Sequence, residues 1–164
     1  MNKLKKITAI AIFALPFFFI PQAKADNQFD VCLRELTNSG VEVAQAQAGC
    51  ADALEPKDLS YCVSTITRST EISGTDALKS CYQVRRPIEM GNCVVSIKNE
   101  ALSASTEMAP VKMALDTCQA SLLPFRHSEC VVALSRTPEV ADPMKAMETC
   151  ISAEDFPSAL YNFN

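Results

Sequence analysis

The sequence predicts an all-α fold: four αα-hairpin repeats stacked as a small disulfide-stapled helical array. Three observations predict it. A segment is written more than once, eight cysteines fall at a regular spacing, and prolines open runs whose apolar residues recur at helical offsets. The segment ALKSCYQVRRPIEMGNCVVSI, residues 77–97, is echoed by ALDTCQASLLPFRHSECVVAL, residues 114–134, with Ala, Leu, Cys, Pro, Cys, Val and Val at identical positions. AQAGCADALEPKDLSYCVSTI, residues 46–66, keeps the same length and the same Ala, Cys, Pro, Cys and Val. Internal copies of this kind mark a repeat architecture, in which each unit covers the apolar face of its neighbour.

The units run over about 26–55, 56–86, 87–123 and 124–156, and a C-terminal tail, 157–164, begins a fifth. Each opens with a helix A, which in the second, third and fourth units starts at Pro56, Pro87 and Pro124, where the first unit has Asp26; proline is tolerated in the first turn because its missing N–H has no intrahelical partner there. In Pro87–Ile97 the residues Met90, Cys93, Val94 and Ile97 share one side at offsets of three and four, the period of a helix. CVVSI and CVVAL are β-branched, but the apolar spacing continues past them on both sides, which favours helix. Helix B ends near the next cysteine; in the third unit it is expected over about Pro110 to Ser121, with Ala114, Leu115 and Cys118 on a common face. Between A and B lie TNSG, STEISGT, SASTEMAP and RTPEVADP, whose Ser, Thr, Gly and Pro suit turns.

The cysteines are Cys32, Cys50, Cys62, Cys81, Cys93, Cys118, Cys130 and Cys150. In an antiparallel hairpin the start of A lies beside the end of B. The pairs expected on that ground are Cys32–Cys50, Cys62–Cys81, Cys93–Cys118 and Cys130–Cys150. The rival scheme joins Cys50–Cys62, Cys81–Cys93 and Cys118–Cys130 across a constant step of twelve, and it strands Cys32 and Cys150. An alanine stands four residues before each closing cysteine (Ala46, Ala77, Ala114 and Ala146), one turn below it on the same face, where a small side chain allows close helix approach. A bridge closing a loop of about 20 residues contributes roughly 3 kcal/mol in the chain-entropy account, so the reduced protein is expected to be marginal.

Residues 1–25 have the layout of a secretory signal peptide. Lys3, Lys5 and Lys6 precede an apolar run from Ile7 to Ile20, and Ala23-Lys24-Ala25 offers a small-x-small cleavage site. The run falls short of the ~20 residues a membrane span needs. A secreted or periplasmic location follows, with no stable membrane span after cleavage, and residues 26–164 forming a single α-helical repeat domain. With the four lysines of the leader removed, 11 basic residues stand against 19 acidic, a net charge of −8. Such a surface repels phosphate backbones, so nucleic acid is excluded as a partner. Oxidised cysteines suit the same exported setting.

Reactive chemistry is sparse in this chain. No cysteine pair has CxxC spacing, and the cysteine spacings are too wide for a zinc knuckle; neither a metal nor a cofactor is expected. The single histidine, His127, lies near Ser128 and Glu129, without a G-x-S-x-G elbow. It is set against Gly91 in the alignment of the units and expected to face solvent. No catalytic residue is assigned. Arg85 and Arg86 form the one basic cluster, a candidate anion contact in a B-to-A turn. Turns between A and B vary in length, and the third unit's cysteine step exceeds the second's by six residues around SASTEMAP. Ser103, Ser105, Thr106, Glu107 and Met108 are therefore the candidate binding edge.

The segments CYQVRRPIEMGNCV and CQASLLPFRHSECVVAL resemble a Cys-rich, exported family of uncharacterised proteins from cyanobacteria. The resemblance implies a periplasmic or extracellular setting and carries no activity or site residues. In layout the hairpins are similar to Sel1-like repeat proteins, but the cysteine spacings differ and the Gly-rich signature is missing, so nothing is transferred. The function expected is a non-catalytic, exported protein-binding or structural module of the cell envelope, with a protein or envelope component as partner. The alternatives are a small carrier of apolar ligand, its cavity lined by Met90, Val94, Ile97 and Leu115, and an envelope enzyme.

Overall fold

The computed structural model describes residues 27–138 and 142–152. Among these the structure is all-α, with eight helices and no strand: α1 Gln28–Asn38, α2 Val43–Asp52, α3 Pro56–Ser69, α4 Gly74–Tyr82, α5 Pro87–Ser96, α6 Met108–Ala120, α7 Pro124–Ser135 and α8 Pro143–Ile151. Residues 1–25, expected to be a signal peptide, and the tail 157–164 lie outside the described residues.

Local chemistry sets the helix starts. Proline occupies the first turn of α3, α5, α7 and α8. Side-chain caps serve α1, α4 and α8, where Asn27, Ser73 and Asp142 accept hydrogen bonds from the backbone N–H groups of Phe29, Asp76 and Met144. After α1 the chain turns through Gly40 at φ +79°, a left-handed conformation that favours glycine. The third helix B differs from expectation: α6 begins at Met108, not Pro110, and Pro110 sits at its third position. The reason is the same freedom that admits proline at the first position, since the first four N–H groups of a helix lack intrahelical acceptors.

The six extra residues of the third unit are partly helical. Ile97–Ala101 continue α5 as a π-helix, closed by a hydrogen bond from the N–H of Leu102 to the carbonyl of Ile97 at 3.0 Å. Ile97 and Leu102 are both buried. The wider turn therefore carries the chain from Ile97, the counterpart of Ile66, to a second buried apolar side chain at Leu102.

The odd helices form a continuous row, α1 against α3, α3 against α5, and α5 against α7. Each even helix packs on its odd predecessor. A single core runs from Cys32 in α1 to Met147 in α8. Val63, Ile66, Val94, Ile97 and Val131, on the inward faces of α3, α5 with its π segment, and α7, have no exposed surface. Burial of such a side chain stabilises the fold by about 1.5–3 kcal/mol.

Disulfides join the start of each odd helix to the end of the even helix that follows: Cys32–Cys50, Cys62–Cys81, Cys93–Cys118 and Cys130–Cys150. Their Cα atoms stand 5.9–6.0 Å apart. Ordinary helix axes lie about 8–10 Å apart, so these bridges need small neighbours. Ala46, Ala77, Ala114 and Ala146 supply them, all at 0% exposure.

Candidate functional site

Turns from even to odd helices lie near residues 53–55, 83–86 and 121–123. Four residues after the closing cysteine of the even helix, each turn projects a side chain: Leu54, Arg85 and Leu122. Leu54 is 97% exposed and Leu122 is 91% exposed. Single exposed leucines are ordinary on protein surfaces. Here the same position is apolar in two of three turns, and Leu123 and Phe125 are also exposed beside Leu122.

Two clefts open beside the first two of these turns. One, of about 750 Å³, is lined by Leu54, Asp58, Val84 and Arg85 among others, with Asp52, Tyr82 and Gln83 on its wall. The second, of about 390 Å³, shares Asp52, Tyr82 and Gln83 and extends to Gly49 and Leu78. A Cβ on Gly49 would stand 3.4 Å from Leu78 Cδ1, so the bare glycine backbone forms part of this floor. The larger cleft sets Asp52, Glu55 and Asp58 against the one cation Arg85. Its chemistry suits an apolar ligand with basic flanks.

The two arginines of the candidate anion contact part company. Arg86 bonds both carboxylate oxygens of Glu89, at 3.1 and 3.2 Å. Arg85 is exposed on the cleft, and among the described residues it has no carboxylate within ion-pair distance.

At the opposite edge lies the binding edge expected from the sequence. Ser103, Thr106, Glu107 and Met108 are exposed and Ser105 is half-buried. Ser105, Thr106, Glu107 and Met108 face Ser69 at the end of α3 and Thr70 and Glu71 of the α3–α4 turn across a cleft of about 280 Å³. Lys98, from the π-helical segment, donates to the carbonyl of Ser105 at 3.2 Å and approaches that of Leu102 at 3.5 Å, which tethers the loop.

His127 corrects an expectation. It is 4% exposed, not solvent-facing, and neither Nδ1 nor Nε2 has a hydrogen-bond partner. The error lies in the register. His127 stands three residues before Cys130, as Met90 stands before Cys93 and Leu59 before Cys62, so its counterpart is Met90 and not Gly91. Leu59 and Met90 are core residues at 2% and 0% exposure. Burial lowers the histidine's pKa below its ordinary value, because it penalises the charged imidazolium. Adjacent Ser128 gives its hydroxyl proton to the carbonyl of Phe125 at 2.8 Å. The serine and imidazole therefore do not form a nucleophile–base pair.

Met90, Val94 and Ile97 have no exposed surface and Leu115 is 4% exposed; all four belong to the packed core and none lines the clefts described above. Among the described residues, no group of three His, Cys, Asp or Glu side chains is assembled that could hold a metal ion. No described helix is long and apolar enough to cross a membrane.

Sequence reasoning missed Leu54 and Leu122. The signal that could have found them is an apolar residue at a fixed distance after the closing cysteine, in a turn where polar residues are the rule. The chain matches no protein-family model, no curated protein and no solved structure.

Proposed function

We propose that the chain is an exported, non-catalytic docking module, built as a row of four copied helix pairs, each closed by its own disulfide. It holds a polypeptide of the cell envelope along the edge formed by its even-to-odd turns. The observation that carries this reading is the exposure of Leu54 and Leu122 at one repeated register, with Leu54 on a cleft that Tyr82 and Arg85 also line. Exposed apolar side chains in a line, rimmed by charge, suit a partner that buries them. The acidic rim of the larger cleft favours basic residues flanking the apolar segment that docks.

Export is supported by the layout of residues 1–25 and by oxidation of all eight cysteines, which persists in oxidising compartments. A docking reading is preferred to a lipid carrier because the side chains that would line a carrier's cavity are packed against one another. It is preferred to an enzyme because the only buried imidazole reaches no polar partner.

The test compares the parent chain with a Leu54→Asp, Leu122→Asp double variant in crosslinked envelope fractions of the exporting cell. Both substituted positions are exposed, so the double variant should keep its four bridges and its helical circular dichroism. Loss of a specific crosslinked polypeptide in the variant is the expected result. Equal capture by both chains would move the docking surface elsewhere, and turnover of a small molecule by the parent would end the non-catalytic reading.

A further inference from the structure

The fifth helix brings a buried side chain to the bridge of the pair before it. The contact is direct: Met90 Sδ lies 3.6 Å from Cys62 Sγ of the preceding pair's bridge. A Cβ on the next residue, Gly91, would stand 3.2 Å from Cys62 Cα, so the two backbones are close at this point. The counterparts of Met90, three residues after the helix-opening proline, are Leu59 in α3 and His127 in α7, both buried. The cysteines of the first three bridges are 0–1% exposed. Those of the fourth, Cys130 and Cys150, are only half-buried, and Ile151 beside them is 38% exposed.

We propose that this end of the molecule is a docking surface for the chain's own residues 157–164, with Leu160 seated over the Cys130–Cys150 bridge. The register selects the occupant. Pro157-Ser158-Ala159-Leu160 repeats the frame of Pro56-Lys57-Asp58-Leu59, Pro87-Ile88-Glu89-Met90 and Pro124-Phe125-Arg126-His127. Leu160 therefore falls at the position of Leu59, Met90 and His127. Six residues separate Cys50 from Pro56, Cys81 from Pro87 and Cys118 from Pro124, and seven separate Cys150 from Pro157, so the connecting turn is one residue longer.

Reach and composition agree with the register. The eight residues from Pro157 to Asn164 carry no charged side chain and include Leu160, Tyr161 and Phe163. As a helix they would extend about 12 Å, at 1.5 Å per residue, which is enough to cover a bridge whose Cα atoms are 5.9 Å apart.

The experiment is partial reduction of the oxidised chain by a phosphine, followed by alkylation and peptide mapping. Cys32–Cys50, at the far end, serves as the internal reference. Leu160→Lys in the full chain is expected to raise the reduction rate of Cys130–Cys150 relative to that reference by about tenfold, because access governs the rate. Leu160→Met should leave the ratio unchanged, and a chain ending at Ser152 should behave as Leu160→Lys does. An equal ratio in the parent and Leu160→Lys overturns the proposal. So does parental protection of Cys130–Cys150 that weakens on dilution, which would place a second copy on this face. Should the shortened chain lose all four bridges together, the comparison of Leu160→Lys with Leu160→Met decides alone.

Discussion

Gly74, the first residue of α4, meets the backbone carbonyl of Ser39 in the α1–α2 turn so closely that a Cβ on it would collide with the oxygen. The contact ties the odd-to-even turn of the first pair to the helix start of the second. It also explains the glycine without appeal to backbone conformation, since Gly40 is the only described residue at positive φ. Gly74→Ala gains a little helix propensity and must push the α1–α2 turn aside. Overpacking of this kind costs typically 1–3 kcal/mol. Urea unfolding of the oxidised protein should show that loss. Gly40→Ala has open space around its Cβ and should be destabilising only through its left-handed φ. A Gly74→Ala variant as stable as the parent would show that the two turns separate freely.

Met90 makes a separate prediction. Cys62 is bonded to Cys81 and carries no S–H, so the approach of the two sulfurs is packing of polarizable atoms and not a hydrogen bond. Met90→Ala leaves a cavity in a fully buried site and is expected to cost about 2–5 kcal/mol, whereas Met90→Leu should cost less than about 1.5 kcal/mol. Denaturant midpoints of the two variants, measured with all bridges intact, check the difference. Equal losses would mean that the site collapses around the smaller side chain.

His127 should make stability depend on pH. Its folded pKa lies below its unfolded value of 6.5, because burial penalises the charged imidazolium. Between those two values the unfolded chain binds more protons than the folded one, so stability rises with pH across that window and falls as acid is added. The slope is at most about 1.4 kcal/mol per pH unit for one group. His127→Met removes both the titration and two buried nitrogens that lack partners. The variant should be more stable than the parent, by a margin that widens as pH falls below 6.5. Urea midpoints at several pH values measure the margin, and a constant margin would show that the buried imidazole accepts its proton without unfolding.

The same histidine shows how much of this molecule was legible beforehand. Helix content and the oxidised cysteines follow from patterns that local rules control: proline at first turns, apolar residues at offsets of three and four, and an even number of cysteines. His127 was misplaced by one residue in the repeat, which moved it from the buried register of Leu59 and Met90 to that of Gly91. Counting back from Cys130 would have read it correctly. The π-helical segment Ile97–Ala101 was not legible, because nothing in IKNEA separates it from an α-helix; the register of Leu102 against the core decides the extra residue per turn. The exposed line of Leu54 and Leu122 escaped for another reason. A sequence pattern shows where an apolar residue stands, while exposure depends on what the neighbouring turns leave uncovered.

Lys98 offers the sharpest probe of the insertion that the π-helical segment opens. Its ammonium donates to the carbonyl of Ser105 and approaches that of Leu102, on a side chain that is itself partly buried. A charge-assisted bond to a loop carbonyl holds the loop more firmly than a neutral one. Two other contacts act on the same residues: the amide of Ser105 donates to the carbonyl of Leu102 at 2.9 Å, and Leu102 is buried. Lys98→Met keeps the aliphatic stem and removes the tether. The amides of residues 103–108 should then exchange several-fold faster, with the core of α3 and α5 unchanged, because local opening is separable from global unfolding. Hydrogen exchange resolved by peptide would show it. Unchanged exchange in 103–108 would assign the loop's order to Leu102 alone, and Leu102→Ala should then release it where Lys98→Met did not.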